Sequence, residues 1–271
     1  MKKIVLAITA IAMVFAVAAV SAQAKLKDGF YFAQEDAFQS SGWLYQVVLQ
    51  VKGGKIVAAN WNGINNKGVM DKKTEAAEGR YGMLKASKLG KEWHEQAAAV
   101  EKYLIDTQDT AFNKYTTDAG NTDAIAGATI HVKEFFDLVK KAIAAGPVSK
   151  GSYKKDGWFY SMATTPDKSG YKATALITVV NGRIVSVNLN AVHKDGGDSK
   201  FVRAVKGTYK MNAKQGEWHI QVPRIEAEIV RLQDPSKLKV KSDGKTDAIS
   251  GVSITVNEMT AVIAEALKKA K

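Results

Sequence analysis

The sequence predicts an α+β protein made of two tandem homologous domains, each an antiparallel sheet with packed helices. Three observations carry this: a long-range internal duplication, period-two alternation that ends in glycine turns, and helix-period apolar stripes that close each copy. Lys27-Asp28-Gly29-Phe30-Tyr31 returns 128 residues later as Lys155-Asp156-Gly157-Trp158-Phe159. Val51-Lys52-Gly53-Gly54-Lys55-Ile56-Val57 returns at the same offset as Val179-Val180-Asn181-Gly182-Arg183-Ile184-Val185. Farther on, Glu92-Trp93-His94 pairs with Glu217-Trp218-His219 at 125, and Thr122-Asp123-Ala124-Ile125 with Thr246-Asp247-Ala248-Ile249 at 124. A period this long is a domain duplication, because solenoid units run about 20 to 50 residues. Domain one is placed at 25–146 and domain two at 151–271, joined at Gly146-Pro147, where a glycine can cap a helix and a proline stops it. So short a joint brings the domains into contact.

Within each copy strands come first. Tyr45, Val47, Leu49 and Val51 alternate up to Gly53-Gly54, and Ala175, Ile177 and Val179 lead to Asn181-Gly182, a dipeptide suited to a type I′ turn. Both read as hairpins. Helices are expected from Lys91 to about Gln108 and from Gly216 to Gln233, with Pro223 near the start of the second or kinking it, and Asp234-Pro235 ending it. A last helix follows in each copy, shown by the stripes Val132, Phe135, Phe136, Val139, Ile143 and Val256, Met259, Val262, Ile263, Leu267. These are core positions.

At 271 residues and 46% hydrophobic, the chain can fill two ordinary cores. Lys2 and Lys3, an apolar stretch from Ile4 to Val20 and the small residues Ala22 and Ala24 predict a signal peptide over 1–24, cleaved after Ala24, which places the mature protein in the periplasm or outside the cell. An uncleaved anchor is the alternative. The absence of cysteine excludes disulfides, thiolate metal sites, c-type haem attachment and a lipid anchor on cysteine. Cleavage removes two lysines and no acid, taking the formal charge from +12 to +10. The lysines are spread along both halves without interleaved aromatics, which speaks against nucleic acid as a partner. Four histidines without clustered carboxylates leave no metal site and no catalytic triad.

The most distinctive feature stands just before each last helix: Thr122-Asp123-Ala124-Ile125-Ala126-Gly127-Ala128-Thr129 and Thr246-Asp247-Ala248-Ile249-Ser250-Gly251-Val252-Ser253. Physically it is a small-residue turn that delivers a hydroxyl to a helix N-terminus, where free N–H groups and the dipole favour a phosphate. Gly127 and Gly251 allow close backbone approach. The plain alternative makes Thr129 and Ser253 ordinary N-caps and Asp123 and Asp247 solvent-accessible turn residues.

The combined pattern resembles the signature of the FMN-binding domain family: aspartate, small, any, Ser/Thr, Gly, Ala, Thr/Ser. The resemblance extends to Asp28-Gly29-Phe30-Tyr31, Gly42-Trp43, Tyr81-Gly82-Met83 and Gln108 in the first copy, and to Asp156-Gly157, Gly170-Tyr171, Tyr209-Lys210-Met211 and Gln233 in the second. Ala126, Val252 and Ser253 depart from the usual residues at their positions. The resemblance implies FMN joined through its phosphate to Thr129, and at Ser253 as a second point, with Asp123, Gly127, Ala128, Asp247, Ser250 and Gly251 around the attachment. It also implies a separate flavin transferase that makes the bond. The expected function is an exported electron carrier between a membrane-bound redox donor and an unknown acceptor. Two other readings stay open: a secreted binding or surface-antigen module of the same fold without flavin, and a flavin-dependent extracytoplasmic reductase. Trp93-His94 and Trp218-His219 are candidates for stacking on a flat ring, with a half-buried helix face as the alternative.

Overall fold

The computed structural model describes residues 25–271, so the expected signal peptide lies outside the described residues. Among those residues no helix is long and apolar enough to cross a membrane. Two units of one design follow each other. The first runs β1 (Gly29–Gln34), β2 (Trp43–Lys52), β3 (Lys55–Asn65), α1 (Lys72–Ala77), α2 (Trp93–Thr107) and α3 (Lys133–Ala145). The second repeats it as β4 (Gly157–Met162), β5 (Tyr171–Val180), β6 (Arg183–His193), α4 (Lys200–Val205), α5 (Trp218–Leu232) and α6 (Asn257–Lys268), with a 3₁₀ turn at Pro235–Lys237. Each sheet has three antiparallel strands in sequence order, which makes the architecture α+β as expected.

The turns follow from residue type. Asn181 and Gly182 take φ of +53° and +70°, the two positive values a type I′ turn needs. Asp156 clamps this turn by accepting from Asn181 N–H at 2.7 Å and Gly182 N–H at 2.8 Å, as Asp28 does for Gly53 and Gly54 at 2.9 Å each. The repeated Asp-Gly is therefore a hairpin clasp.

One face of each sheet carries the core. Val47, Leu49 and Val51 pack with Phe135, Phe136 and Val139 of α3, and Ala175, Ile177 and Val179 pack with Val262, Ile263 and Leu267 of α6. Helix α5 continues through Pro223 to Leu232, so the proline lies inside it, in the second turn. The short helices α1 and α4 carry no periodic signal in the sequence, because six residues are too few to display a helical period.

Helices α2 and α5 close the outer edges of the sheets, where unpaired strand groups need partners. Gln108 accepts from Ile56 N–H at 2.8 Å and donates to Ile56 O at 2.9 Å, and Gln233 repeats this with Ile184 at 2.9 and 2.8 Å. Likewise Trp61 N–H donates to Glu101 at 2.6 Å and Leu189 N–H to Glu226 at 2.7 Å. The copies differ in what balances the acid. Lys73 pairs with Glu101 at 2.6 Å, whereas the residue at the same offset in the second copy is Phe201.

Burial raises the Glu226 carboxyl to about 8, with the Leu189 N–H pulling it back. The unfolded chain ionises at the ordinary value of 4.5, so between that value and about 8 only the folded state holds the proton, and stability falls as pH rises through this window. Glu226→Gln is therefore expected to stabilise the protein at about pH 8.5 and to leave it unchanged near pH 4. Glu226 keeps partial solvent contact, which reduces the expected gain to about 1–2 kcal/mol. Urea unfolding of both proteins at the two pH values checks this, and equal midpoints at the higher pH would contradict it.

The second faces of the two sheets meet each other. Leu44, Ile64 and Leu176 form a buried cluster flanked by Phe38, Trp158 and Tyr160. Gln46, fully buried, accepts from Trp158 Nε1 at 2.6 Å and Thr178 Oγ1 at 3.0 Å. The Asn66 carbonyl accepts from Ser199 Oγ at 2.6 Å and Asn190 Nδ2 at 2.7 Å. Helices therefore lie outside and the sheets back to back. That explains why β5 is buried along almost its whole length instead of on alternate residues.

Candidate functional site

The loop before each last helix is built in the same way twice. Thr122 Oγ1 donates to Lys114 O at 2.6 Å and accepts from Ala124 N–H at 3.1 Å, and Thr246 does the same with Lys239 O at 2.7 Å and Ala248 N–H at 3.1 Å. Both threonines are buried anchors, which leaves Asp123 and Asp247 exposed. Gly127 and Gly251 then take φ of +87° and +74°, a turn conformation that disfavours a Cβ.

The two hydroxyls are not where the sequence suggested. Helices α3 and α6 have Val132 and Val256 at their N-caps, and among the described residues no side chain caps either. Thr129 and Ser253 each lie three residues earlier, so neither is an N-cap and neither is delivered to the helix start. The cause is a backbone tie: Val132 N–H donates to Gly120 O at 2.8 Å and Val256 N–H to Gly244 O at 2.7 Å, which fixes the chain before the helix begins. The hydroxyl segment instead docks on the preceding helix. Thr129 N–H and Oγ1 donate to Gln96 Oε1 at 2.8 and 3.1 Å, and Ser253 makes the same pair with Gln221 Oε1 at 2.8 and 3.3 Å. Both glutamines are fully buried, so their acceptors are fixed.

Beside each hydroxyl opens a cleft. The first, about 650 Å³, is walled by Tyr45, Tyr81, Met83 and Trp93 and rimmed by Asp123, Ala128 and Thr129. The second, about 260 Å³, is walled by Tyr171, Tyr209, Met211 and Trp218 and rimmed by Ser253. Trp93 and Trp218 are the first residues of α2 and α5 and are buried. Glu92 accepts from Met83 N–H at 3.2 Å and Leu84 N–H at 2.9 Å, and Glu217 from Met211 N–H at 2.7 Å and Asn212 N–H at 3.0 Å. These bonds clip the Tyr-x-Met loop to the helix start, which is why tyrosine, methionine and tryptophan converge.

The structure thus brings Thr129, Asp123 and Ala128 to one cleft and Ser253 to the other. Gly127 shapes the turn and lines neither cleft. Asp247 pairs with Lys241 at 3.0 Å and, like Ser250, stands away from the second cleft. Gly251 receives a hydrogen bond from Arg224 on its carbonyl, and it too lies outside the lining. Of the Trp-His pairs only the tryptophans line the clefts; among the described residues, Nδ1 of His94 and of His219 has no hydrogen-bond partner.

No family model matches the chain, and no curated protein matches it. Two solved structures are similar to part of it. One is a Clostridium thermocellum protein determined by solution NMR, 47% identical, with the match covering 43% of this chain and 92% of that one at a TM-score of 0.36. The other is a crystal structure of a Clostridium perfringens protein, 26% identical, covering 45% of this chain and 88% of that one at a TM-score of 0.35.

Sequence reasoning missed Gln96 and Gln221, which hold the hydroxyls, and Lys72 and Lys200, which line the clefts. A signal was present. Lys72 and Lys200 stand 128 apart and Gln96 and Gln221 stand 125 apart, the offsets of their neighbours, so carrying the repeat through every position would have found them.

Proposed function

We propose that the chain is an exported electron carrier that holds FMN covalently, through phosphate, on Thr129 and on Ser253. One observation carries the reading: in both units the motif hydroxyl stands on the rim of a cleft walled by the same tyrosine, methionine and tryptophan positions. Conserving wall and hydroxyl together through a duplication is what a ring-and-phosphate ligand requires, and an N-cap would not need the wall. Thr129 would take the phosphate, Lys88 on the same rim would face its charge, and the half-buried Tyr81 and Met83 would flank the ring, with the buried Trp93 backing the wall. The flavin would supply the redox chemistry, and the chain would supply attachment and an aromatic wall. The partners on this reading are a flavin transferase, a membrane-bound redox donor and an acceptor still to be identified.

The unequal clefts favour a second reading, a carrier loaded at Thr129 alone. The second volume, about 260 Å³, falls below the roughly 300 Å³ at which ligand clefts usually begin. Intact-mass measurement of the chain, co-produced with a flavin transferase in an exporting host, decides. Two FMN units less two waters support the full reading and one supports the second. No gain beside a competent transferase overturns covalent flavin binding.

A further inference from the structure

Each cleft is built around a buried lysine that attachment does not use. Lys72 is 1% exposed, and its Nζ lies 4.7 Å from the ring centres of Trp43 and Tyr45, 4.5 Å from Tyr81 and 4.8 Å from Trp93. It donates to Tyr45 Oη at 2.8 Å. Glu134, which lines the same cleft, and Glu35 act on it at longer range, and among the described residues no carboxylate forms an ion pair with it. The second copy repeats the arrangement in a weaker form. Lys200 Nζ lies 4.8 Å from Tyr171, 4.9 Å from Tyr209 and 5.9 Å from Trp218, and Asp167 stands 3.7 Å away. At the 128-residue offset Asp167 replaces Gln39, and Ala173 replaces Tyr45.

Burying an ammonium without a carboxylate is costly, and methionine would fill the same space without that cost. Ring faces recover part of it. The feature has nonetheless been kept in both copies, each time on the wall of the cleft that bears the motif hydroxyl. We propose, resting on the flavin reading above, that Lys72 sets the reduction potential of a flavin on Thr129 by placing unneutralised positive charge in its cleft. Below neutrality Lys72 keeps its proton and acts only through its charge. It would favour the one negative charge that a bound flavin keeps after taking two electrons from an external reductant and one proton from solvent. In the second copy Asp167 would cancel most of this bias. Burial draws the Lys72 ammonium down to about 7, so its charge is complete only below neutrality. Glu134, Glu35, Tyr45 and Tyr81 are the titratable groups that face it.

The test uses the full chain co-produced with transferase, with Ser253→Ala so that one site reports, and reductive titration with dithionite at about pH 6. Lys72→Met is expected to keep the FMN mass and to lower the reduced-to-oxidised ratio at a fixed applied potential by about tenfold or more. Gln39→Asp in a Glu35→Ala background, which copies the second unit's Asp167 and Ala163 and avoids setting the new acid against the Glu35 carboxylate that Gln39 donates to at 2.7 Å, is expected to shift it in the same direction, and Lys72→Arg to restore it. If Lys72→Met takes up no flavin, Gln39→Asp decides alone. An FMN-loaded chain whose potential is unmoved by these changes overturns the role of Lys72 and leaves the flavin reading intact. A parent chain without FMN mass overturns the flavin reading itself.

Discussion

Thr129→Ala is expected to abolish FMN attachment to the first unit. A phosphoester needs an alcohol oxygen, and Thr129 supplies an exposed one on the cleft rim whose own proton points to a fixed acceptor, Gln96 Oε1 at 3.1 Å. The backbone N–H bond to the same oxygen, 2.8 Å, holds the residue in place whichever side chain it carries. Alanine therefore removes the nucleophile without displacing the loop. Thr129→Ser keeps both and should be modified. Gln96→Leu keeps the hydroxyl and loses its seat, so partial modification is expected. Intact mass in the Ser253→Ala background reads all three, and a full FMN gain on the alanine variant would show that another residue is the acceptor.

Trp61→Ala is expected to lower global stability by about 3–5 kcal/mol, the range for truncating a buried large aromatic. Trp61 is fully buried, and its ring meets Tyr45 at 5.4 Å, Trp93 at 5.1 Å and Phe135 at 5.4 Å. Removing it would leave a cavity bounded by β2, α2 and α3, three elements fixed by other contacts and unable to collapse into the space. Leu189 stands at the same offset in the second copy. Trp61→Leu should accordingly cost less, about 1–3 kcal/mol. Urea unfolding of the three proteins gives the ranking, and an alanine variant within about 1 kcal/mol of the parent would mean that the cluster collapses after all.

Much of the fold was legible because the duplication acts as an internal control. A strand alternation or helical stripe seen twice at one offset reports structure and not chance, and the hairpins at Gly53-Gly54 and Asn181-Gly182 and the last helix of each copy are such pairs. Positions where local and long-range forces compete were not legible. Thr129 looks like an N-cap because threonine before a helix usually is one. Only the tie from Val132 to Gly120 and the buried acceptor of Gln96, 33 residues away in sequence, move it off the helix. Lys72 reads as one surface lysine among many, since nothing near it in sequence announces that four rings from separate segments will close around it.

The back-to-back sheets have a consequence for inheritance. Gln46 bonds to Trp158 and Thr178, but at its own offset the second copy carries Thr174, so the joint is not made of two equivalent halves. A lone first half would present Leu44 and Ile64 to water, and a lone second half Leu176, Trp158 and Tyr160. Either fragment would then be prone to stick to itself. Across this joint the two copies are no longer interchangeable, and a truncation or recombination that separated them is expected to lower the solubility of each half.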